Sequence, residues 1–403
     1  MLPAITIIGG VDSGKSTLIG NLLMETKSIP QNLIQKVKDF CVKEKLVFEP
    51  AYLVDYMREE ITLQSTRERA LAELKIGAER VLIIDTPGQM TLSQKMISGL
   101  SEANIVVILL DMTDRDVKKY HYYLKLASLL GFSEIIVAVN KLDVFGYKKD
   151  EYEKFLKKFR IKEGDNFYVI PISALKNEDL TKKSKLLAWC KEDNLLAVLN
   201  KILEKEEKKK KARFLMPVQS ILEIGKEKIA LGAVLEGKVS VGDEIKIFDG
   251  VSSKKTEIKK LYHNDKKASQ VFAGENAGLV VSQCGLQIKR GHIFHNLPEK
   301  AFSEKVEAGL YILKPFDPDS PEDYSVRILT GSYGLKKLEV RKRFDFQLAP
   351  VNNLAGKLSS NEFCDARMIL DRKIAVTKNI SARRFAIEDK KGNLVAIGMQ
   401  TSH

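Results

Sequence analysis

Gly9-Gly10-Val11-Asp12-Ser13-Gly14-Lys15-Ser16-Thr17, preceded by the apolar run Ala4-Ile5-Thr6-Ile7-Ile8, decides how the chain is read. The spacing G-x-x-x-x-G-K-S is a phosphate-binding loop in its required setting, a buried strand entering and a helix, expected over residues 17–24, leaving. Glycine at 9 and 14 lets the backbone wrap so that N–H groups face phosphate oxygens, and the helix start adds partial positive charge. Gly9, Asp12, Ser13, Gly14, Lys15, Ser16 and Thr17 are the expected phosphate-contacting set. A triphosphate suits it: Lys15 would reach the β- and γ-phosphates and assist their chemistry, while the Ser16 hydroxyl would ligand Mg²⁺.

Three further segments, each closing an apolar strand, identify the base and complete the phosphate site. Asp85-Thr86-Pro87-Gly88 follows Val81-Leu82-Ile83-Ile84, so Asp85 can hold Mg²⁺ through water. The Gly88 N–H can meet the γ-phosphate because no Cβ blocks the approach. Asn140-Lys141-Leu142-Asp143 follows Ile135-Ile136-Val137-Ala138-Val139. A carboxylate there accepts from guanine N1–H and the 2-amino group, a donor pair that adenine lacks. Ser173-Ala174-Leu175 follows Tyr168-Val169-Ile170-Pro171-Ile172, where backbone N–H groups can meet the guanine carbonyl. Each segment alone is a weak signal, but their order and strand-end placement together point to GTP and GDP.

Composition sets the frame for this site. At 403 residues the chain has room for about two to three domains. Cys41, Cys190, Cys284 and Cys364 form no C-x-x-C and the five histidines no ligand-spaced pair, so neither a disulfide framework nor a zinc site is indicated. No apolar stretch approaches the roughly 20 residues needed to span a bilayer, and the first ten residues already read as a strand rather than a signal peptide. The expected location is cytoplasmic, with no membrane partner. A formal net charge of +13 fits an acidic partner such as RNA, and equally fits a Lys- and Glu-rich surface without one. The densest charge run, residues 204–211, reads as a solvated helix end and linker.

That run divides the sequence into two textures. Before it, strands alternate with helical stretches at 118–130 and 151–159, the signature of a mostly parallel α/β sheet with helices on both faces. After it, short alternating segments recur with glycine punctuation at 218–224, 228–235, 243–248, 254–262 and 276–281. A second break falls at Asn296-Leu297-Pro298, and the β texture resumes to the end of the chain. The expected architecture is a nucleotide-binding domain over 1–204 followed by two antiparallel β-barrels, over 205–297 and 298–403.

With G-x-V-D-S-G-K-S-T, D-T-P-G, N-K-L-D and S-A-L in this order before two β-barrels, the chain resembles the translation-factor class of GTPases along its whole length. The segment 231–243, Leu-Gly-Ala-Val-Leu-Glu-Gly-Lys-Val-Ser-Val-Gly-Asp, resembles that family's second-domain strand pair, and Gly274-Glu275-Asn276-Ala277-Gly278-Leu279 and Lys289-Arg290-Gly291 resemble its later turns. Two branches share the plan. One is elongation factor 1-alpha, which carries aminoacyl-tRNA to the ribosome. The other is the GTPase subunit of bacterial sulfate adenylyltransferase, which couples GTP hydrolysis to sulfate activation beside a small adenylyltransferase subunit. Leu22 to Ile29, Leu53 to Met57, Leu358-Ser359-Ser360-Asn361-Glu362 and Met368-Ile369-Leu370-Asp371 are similar to the sulfate-activating branch, and the expectation is set there. Leu53 to Asp55 and Ser173 to Trp189 fit elongation factor 1-alpha nearly as well, and Arg384-Phe385-Ala386-Ile387-Glu388-Asp389 fits it better, so it stays as the alternative.

Departures from the family bear on catalysis. The resemblance implies a switch threonine that ligands Mg²⁺ only when the γ-phosphate is present. Counting without gaps back from Asp85 and forward from Asp55 reaches Thr66 both ways, with Thr62 as runner-up. Ser65 stands where the family has an apolar residue that, with Val11, screens the attacking water. After D-T-P-G the family carries histidine and this chain carries Gln89, which resembles the water-orienting glutamine of small Ras-type GTPases. A GTP-bound scaffold with little hydrolysis therefore remains as a third class of function.

Overall fold

The apolar run ahead of the phosphate-binding loop forms β1 (Ala4–Gly9), buried along its whole length. The computed structural model describes the chain except residues 1–2, 65–69, 78, 86–102, 104, 130–131, 133, 162–166, 210–212, 226, 283–284, 346–348, 377–382 and 402–403. Five more strands join β1 in one sheet: β2 (Ala70–Ile76), β3 (Glu79–Asp85), β4 (Ile105–Asp111), β5 (Glu134–Asn140) and β6 (Phe167–Pro171). Their order is β2-β3-β1-β4-β5-β6. β1 runs parallel to β3 and β4, β4 to β5 and β5 to β6, while β2 is an antiparallel edge on β3. Strands covered on both faces must be apolar at consecutive positions, which is why β1, β4 and β5 read as unbroken hydrophobic runs.

Among the described residues, six α-helices accompany the sheet: α1 (Lys15–Glu25), α2 (Gln31–Lys43), α3 (Ala51–Gln64), α4 (Val117–Leu129), α5 (Lys149–Phe159) and α6 (Leu195–Lys209). α1 begins two residues earlier than the sequence suggests, because Gly14 at φ +92° turns the chain directly into it. Ile5 and Ile7 share one core with Leu18, Leu22, Val37, Leu53, Val54 and Leu199. The alternate residues Thr6, Ile8, Val106 and Ile108 are buried as well, so both faces are covered. Gly20 lets α1 lie against the entry to α3, since a Cβ there would overlap the Pro50 carbonyl oxygen. No helix among the described residues is long and apolar enough to cross a membrane.

The chain divides into two compact units, one from Leu2–Ser128 with Phe132–Glu204 and the other from Lys205–His403. Among the described residues, the strands of the second unit all pair antiparallel. Its first part contains β7 (Leu215–Pro217), β8 (Ser220–Ile224), β9 (Glu227–Ala233), β10 (Lys238–Ser240), β11 (Glu244–Phe248), β12 (Ser253–His263), β13 (Lys266–Ala268), β14 (Gln270–Phe272), β15 (Asn276–Val281) and β16 (Ile293–His295). Among the described residues these strands pair as an eight-stranded sheet running from β7 to β8, with β10 and β14 as a separate ribbon. The sequence suggests a closed barrel here; the ladder itself does not close. Its end strands β7 and β8 follow one another in the chain, and Leu215 of β7 meets the residues just beyond β9, Leu235 N–H donating to Leu215 O (2.8 Å) and Leu215 N–H to Glu236 O (3.2 Å).

The last part does close. β17 (Phe302–Ile312), β18 (Tyr324–Ile328), β19 (Gly331–Phe344), β20 (Phe363–Ala375), β21 (Arg384–Asp389) and β22 (Leu394–Gln400) form a barrel in the order β17-β20-β19-β18-β21-β22. Closure removes the free strand edges that an open sheet would expose.

Within this second unit, His295 sits fully buried against Phe248 and Phe302, whose rings stack at 3.9 Å between centroids. The Leu297 N–H donates to His295 Nδ1 (3.0 Å), which leaves Nε2 as the protonated nitrogen facing Ser253 Oγ (3.1 Å). Burial, reinforced by Lys246, pushes the imidazole pKa down to about 4. A group whose folded pKa lies below its unfolded value stabilises the fold above the unfolded pKa and loses that contribution as pH falls through the folded one. Thermal unfolding of the chain should therefore show a loss on the order of 2–3 kcal/mol from this residue between about pH 6.5 and 4. His295→Gln should flatten that part of the pH profile relative to wild type. Parallel profiles for the two proteins would refute the assignment.

Candidate functional site

Parallel register brings the strand ends to one edge of the sheet. Ile7 pairs with Asp85, Gly9 with Leu109, Asp111 with Asn140 and Val139 with Pro171. The C-terminal ends of β1, β3, β5 and β6 all lie at that edge, the place where open α/β sheets bind ligands.

The phosphate-binding loop is held from below and inside. A Cβ on Gly9 would stand 2.7 Å from the Leu109 carbonyl oxygen, so only glycine fits against β4. The buried Ser13 donates from Oγ to Gly10 O (2.9 Å), while Val11 and Asp12 form the exposed outer turn with Asp12 at φ +58°. α1 has no side-chain cap at its N-terminus, which leaves its first turn, carrying Ser16 and Thr17, open to an anion. Lys15 Nζ donates to Gly9 O (3.0 Å) and Gly10 O (2.6 Å), placing the ammonium inside the curve of the loop. Ser16 Oγ accepts from Arg58 Nη1 of α3 at 3.3 Å, and the same guanidinium nitrogen pairs with Asp55 at 2.8 Å.

Asn140 joins this loop to the base loop. Its Nδ2 donates to Ser13 O (2.8 Å) and its Oδ1 accepts from Ala174 N–H (2.8 Å), both away from solvent. From α1, Asn21 Nδ2 donates to Ala174 O (2.6 Å). Ala174 N–H, which the sequence offers to the guanine carbonyl, thus serves Asn140 here, and Lys176 N–H serves Ser173 Oγ (3.2 Å). Leu175 stands exposed at the tip of the same loop.

Asp143, the carboxylate that the sequence offers to the guanine base, is oriented by Ser173, whose Oγ donates to its Oδ1 at 2.7 Å. Lys141 has φ +67° and its Nζ pairs with Asp111 Oδ2 at 2.6 Å, fixing the turn between β5 and Asp143. Burial and the neighbouring carboxylates of Asp143 and Glu178 hold the Tyr147 phenol above its ordinary pKa, so it stays a neutral hydroxyl. The sole tryptophan, Trp189, donates from its indole to Tyr147 O (3.0 Å) and braces this corner.

Lys15, Ser16, Asn140, Lys141, Asp143, Ser173, Ala174 and Leu175 therefore converge on one edge. Thr66, Gly88 and Gln89, with Ser65, lie outside the described residues; Thr62 falls in the last turn of α3. Asp85 is placed by its backbone alone, at the end of β3 beside Ile7. Sequence reading misses Asn21, Asp111 and Arg58. Asn21 leaves a signal, a lone amide inside the buried stretch Leu18 to Leu23 of α1. Asp111 leaves another, a carboxylate ending an apolar strand.

A carboxylate fixed in this way should set base choice by hydrogen bonds that adenine cannot complete, a discrimination on the order of 10⁴-fold. Asp143→Asn should weaken GTP binding by about 100-fold, two charge-assisted bonds being altered, and should favour xanthosine triphosphate, whose 2-oxo group accepts from the new amide. Calorimetric titration with GTP, ATP and XTP checks this; equal wild-type affinity for ATP and GTP would overturn the base assignment.

Among solved structures, sup35 complexed with GDP is similar at 17% identity with a TM-score of 0.44, covering 99% of this chain and 93% of that one. Sup35 complexed with GMPPNP is similar at 17% with a TM-score of 0.43. The family described as elongation factor Tu GTP binding domain matches residues 2–208, and elongation factor Tu domain 2 matches residues 227–295. Elongation factor 1-alpha of Archaeoglobus fulgidus is 32% identical over 301 residues, covering 72% of this chain and 70% of that protein. Its counterpart from Thermococcus gammatolerans is 33% identical over 303 residues, covering 72% and 69%. By the family match over half its length and by these relatives, the chain belongs to the GTP-binding superfamily of elongation factor Tu and elongation factor 1-alpha.

Proposed function

We propose that the chain is a magnesium-dependent GTPase switch that carries aminoacyl-tRNA in its GTP state, in the manner its elongation factor 1-alpha relatives are named for. The observation that carries the nucleotide part is the meeting of phosphate loop, Asp143 and Ser173 loop at one sheet edge through Asn140. The relatives' names and the net charge of +13 support a polyanionic partner. The sulfate-activating reading, with its adenylyltransferase subunit, has no support among the named relatives and is set aside in favour of the carrier. Such a carrier works in the cytoplasm.

Ser16, Asp85 and Thr66 are the residues that would hold Mg²⁺. Ser16 Oγ already accepts from a cationic donor, Arg58, so its lone pairs face a cation. Hydroxyl and carboxylate oxygens are hard donors of the kind this ion takes. Mg²⁺, when bound, neutralises charge building on the β- and γ-phosphates. Lys15 turns from its own loop carbonyls to the phosphate oxygens, Gly88 N–H supports the γ-phosphate, and Gln89 orients the attacking water through an amide that donates and accepts.

Two experiments test the reading. With GTP present, the chain should slow hydrolysis of the aminoacyl ester of tRNA, and with GDP it should not. Raising salt from about 50 to 200 mM should erode the protection steeply if phosphate contacts carry it. Thr66→Ala should keep GDP affinity and abolish the GTP-dependent protection, while Thr62→Ala should be milder. No protection in either nucleotide state, or the reverse ranking of the two threonines, would sink the carrier or the switch assignment respectively.

Single-turnover hydrolysis tests Gln89. Wild type should hydrolyse GTP measurably without ribosomes, and Gln89→Leu should slow it at unchanged GTP affinity, because an apolar side chain can neither donate to nor accept from the water. Wild-type and Leu proteins that are equally inert with every candidate partner would leave a GTP-bound scaffold instead.

A further inference from the structure

Gly10 lies in the phosphate-binding loop yet has no left-handed backbone to explain it; its φ is not positive. The explanation is spatial. A Cβ at residue 10 would overlap Lys119 Nζ, with Lys119 Cε next at 2.8 Å. The ammonium of a lysine on α4 occupies the place where a side chain of the loop would stand.

Lys119 is fixed there from its own helix. Asp116 caps α4, accepting the Lys119 N–H at 3.2 Å, and Asp114 accepts the Asp116 N–H at 2.9 Å. A cation in the first turn of a helix opposes the helix dipole, so its position does not serve α4 itself. Its ion pair with Asp114 Oδ2 is long, 3.5 Å, and the side chain is only 18% exposed, so the charge is neither closely neutralised nor fully screened by water. Lys15 Nζ sits on the carbonyl oxygen of the same glycine at 2.6 Å. Two ammonium groups therefore flank Gly10 at the point where the loop receives an anion. Between the loop and α4 lies a cavity of about 20 Å³, lined by Gly10, Ser13, Asp114, Lys119, Tyr120 and Tyr123 among others. The buried hydroxyls of Tyr120 and Tyr123 find no hydrogen-bond partner among the described residues. The contact between loop and helix on this side thus runs through the lysine rather than through packed apolar side chains.

We propose that Lys119 is a positioning residue of the nucleotide site, whose ammonium, seated in the space that Gly10 leaves, holds a second positive charge against the phosphate-binding loop and raises its affinity for the phosphates of GDP and GTP. The proposal rests on nucleotide binding at this site.

Lys119→Met keeps an unbranched side chain only one heavy atom shorter and removes the charge. Gly10→Ala keeps the charge and, because the obstructing atom is the end of a flexible side chain beside a cavity, should displace it rather than break the loop. GDP affinity of the full chain, measured for wild type, both single variants and the double variant at about 50 and 500 mM salt, separates charge from packing. Lys119→Met should weaken GDP binding by about three- to tenfold at low salt, the size of a partly screened charge, and the gap should narrow at high salt. Gly10→Ala should weaken binding comparably, and should cost little more once Lys119 is already Met. Trp189 fluorescence on heating verifies that each variant is folded. A Met variant within twofold of wild type, a loss indifferent to salt, or a Gly10→Ala penalty that persists in full without the lysine would overturn the role. Wild type that binds no GDP would instead overturn the nucleotide site on which the role depends.

Discussion

One buried amide holds the nucleotide-binding unit in working order. Asn140 is 2% exposed, and its two polar ends reach elements that the chain order separates widely, Ser13 in the first loop and Ala174 beyond β6. An amide in such a place must be bonded at both ends, because a donor or acceptor buried without a partner costs about 1–3 kcal/mol. The register of β5 against β4 and β6 delivers Asn140 to the gap, and the gap in turn dictates Gly14. A Cβ on Gly14 would stand 2.6 Å from Asn140 Nδ2, and φ +92° already disfavours any other residue. The second glycine of the phosphate motif is therefore required twice, once by backbone conformation and once by the base-recognition loop behind it.

What the sequence shows plainly is what two-sided burial forces on it. β1, β5 and β6 are legible because a parallel strand under helices is apolar at nearly every position, and the residues at or just past the end of each run, Gly9, Asn140 and Ser173, are the ones that shape the site. β2 is not legible. Ala70-Leu71-Ala72-Glu73-Leu74-Lys75-Ile76 is built from strong helix formers. It is a strand because pairing with β3 buries Leu74 and Ile76, a tertiary gain that overrides local preference. Lys119 and Arg58 are illegible for another reason. Charged residues on amphipathic helices ordinarily face water, and nothing along the chain records that α3 and α4 pass close to Ser16 and Gly10.

The same distinction explains why short resembling segments do not decide between the two branches of the family. The short segments that favoured sulfate activation are mostly packing. Leu22 and Leu23 lie in the core of α1, and Leu358, Met368 and Leu370 are fully buried in the last barrel. Glu362 of the L-x-x-N-E segment meets the buried Arg343, which also donates to the carbonyls of Asn353, Ala355 and Lys357. These residues hold a barrel together, and a barrel shared by two branches constrains them in both. Resemblance confined to the core carries the fold and says little about the partner, which is chosen by solvent-facing residues.

The groups that a nucleotide would need are already engaged with one another. Lys15 holds the loop carbonyls of Gly9 and Gly10, Arg58 holds Ser16 Oγ, and Ala174 N–H holds Asn140. Binding is then an exchange of partners and not a simple gain of bonds, so its free energy is the difference between neutral acceptors given up and charged phosphate oxygens acquired. Hydrogen bonds to charged groups are worth about 1.5–3 kcal/mol against about 1 for neutral ones, which sets the sign in favour of the ligand. The exchange also reaches beyond the pocket. Arg58 belongs to α3, whose last residue is Gln64, immediately before the segment that carries Thr66. On the proposed reading, a cation held by Ser16 would displace the Arg58 guanidinium, so occupancy of the phosphate site would be coupled to α3 by like-charge exclusion at a single hydroxyl.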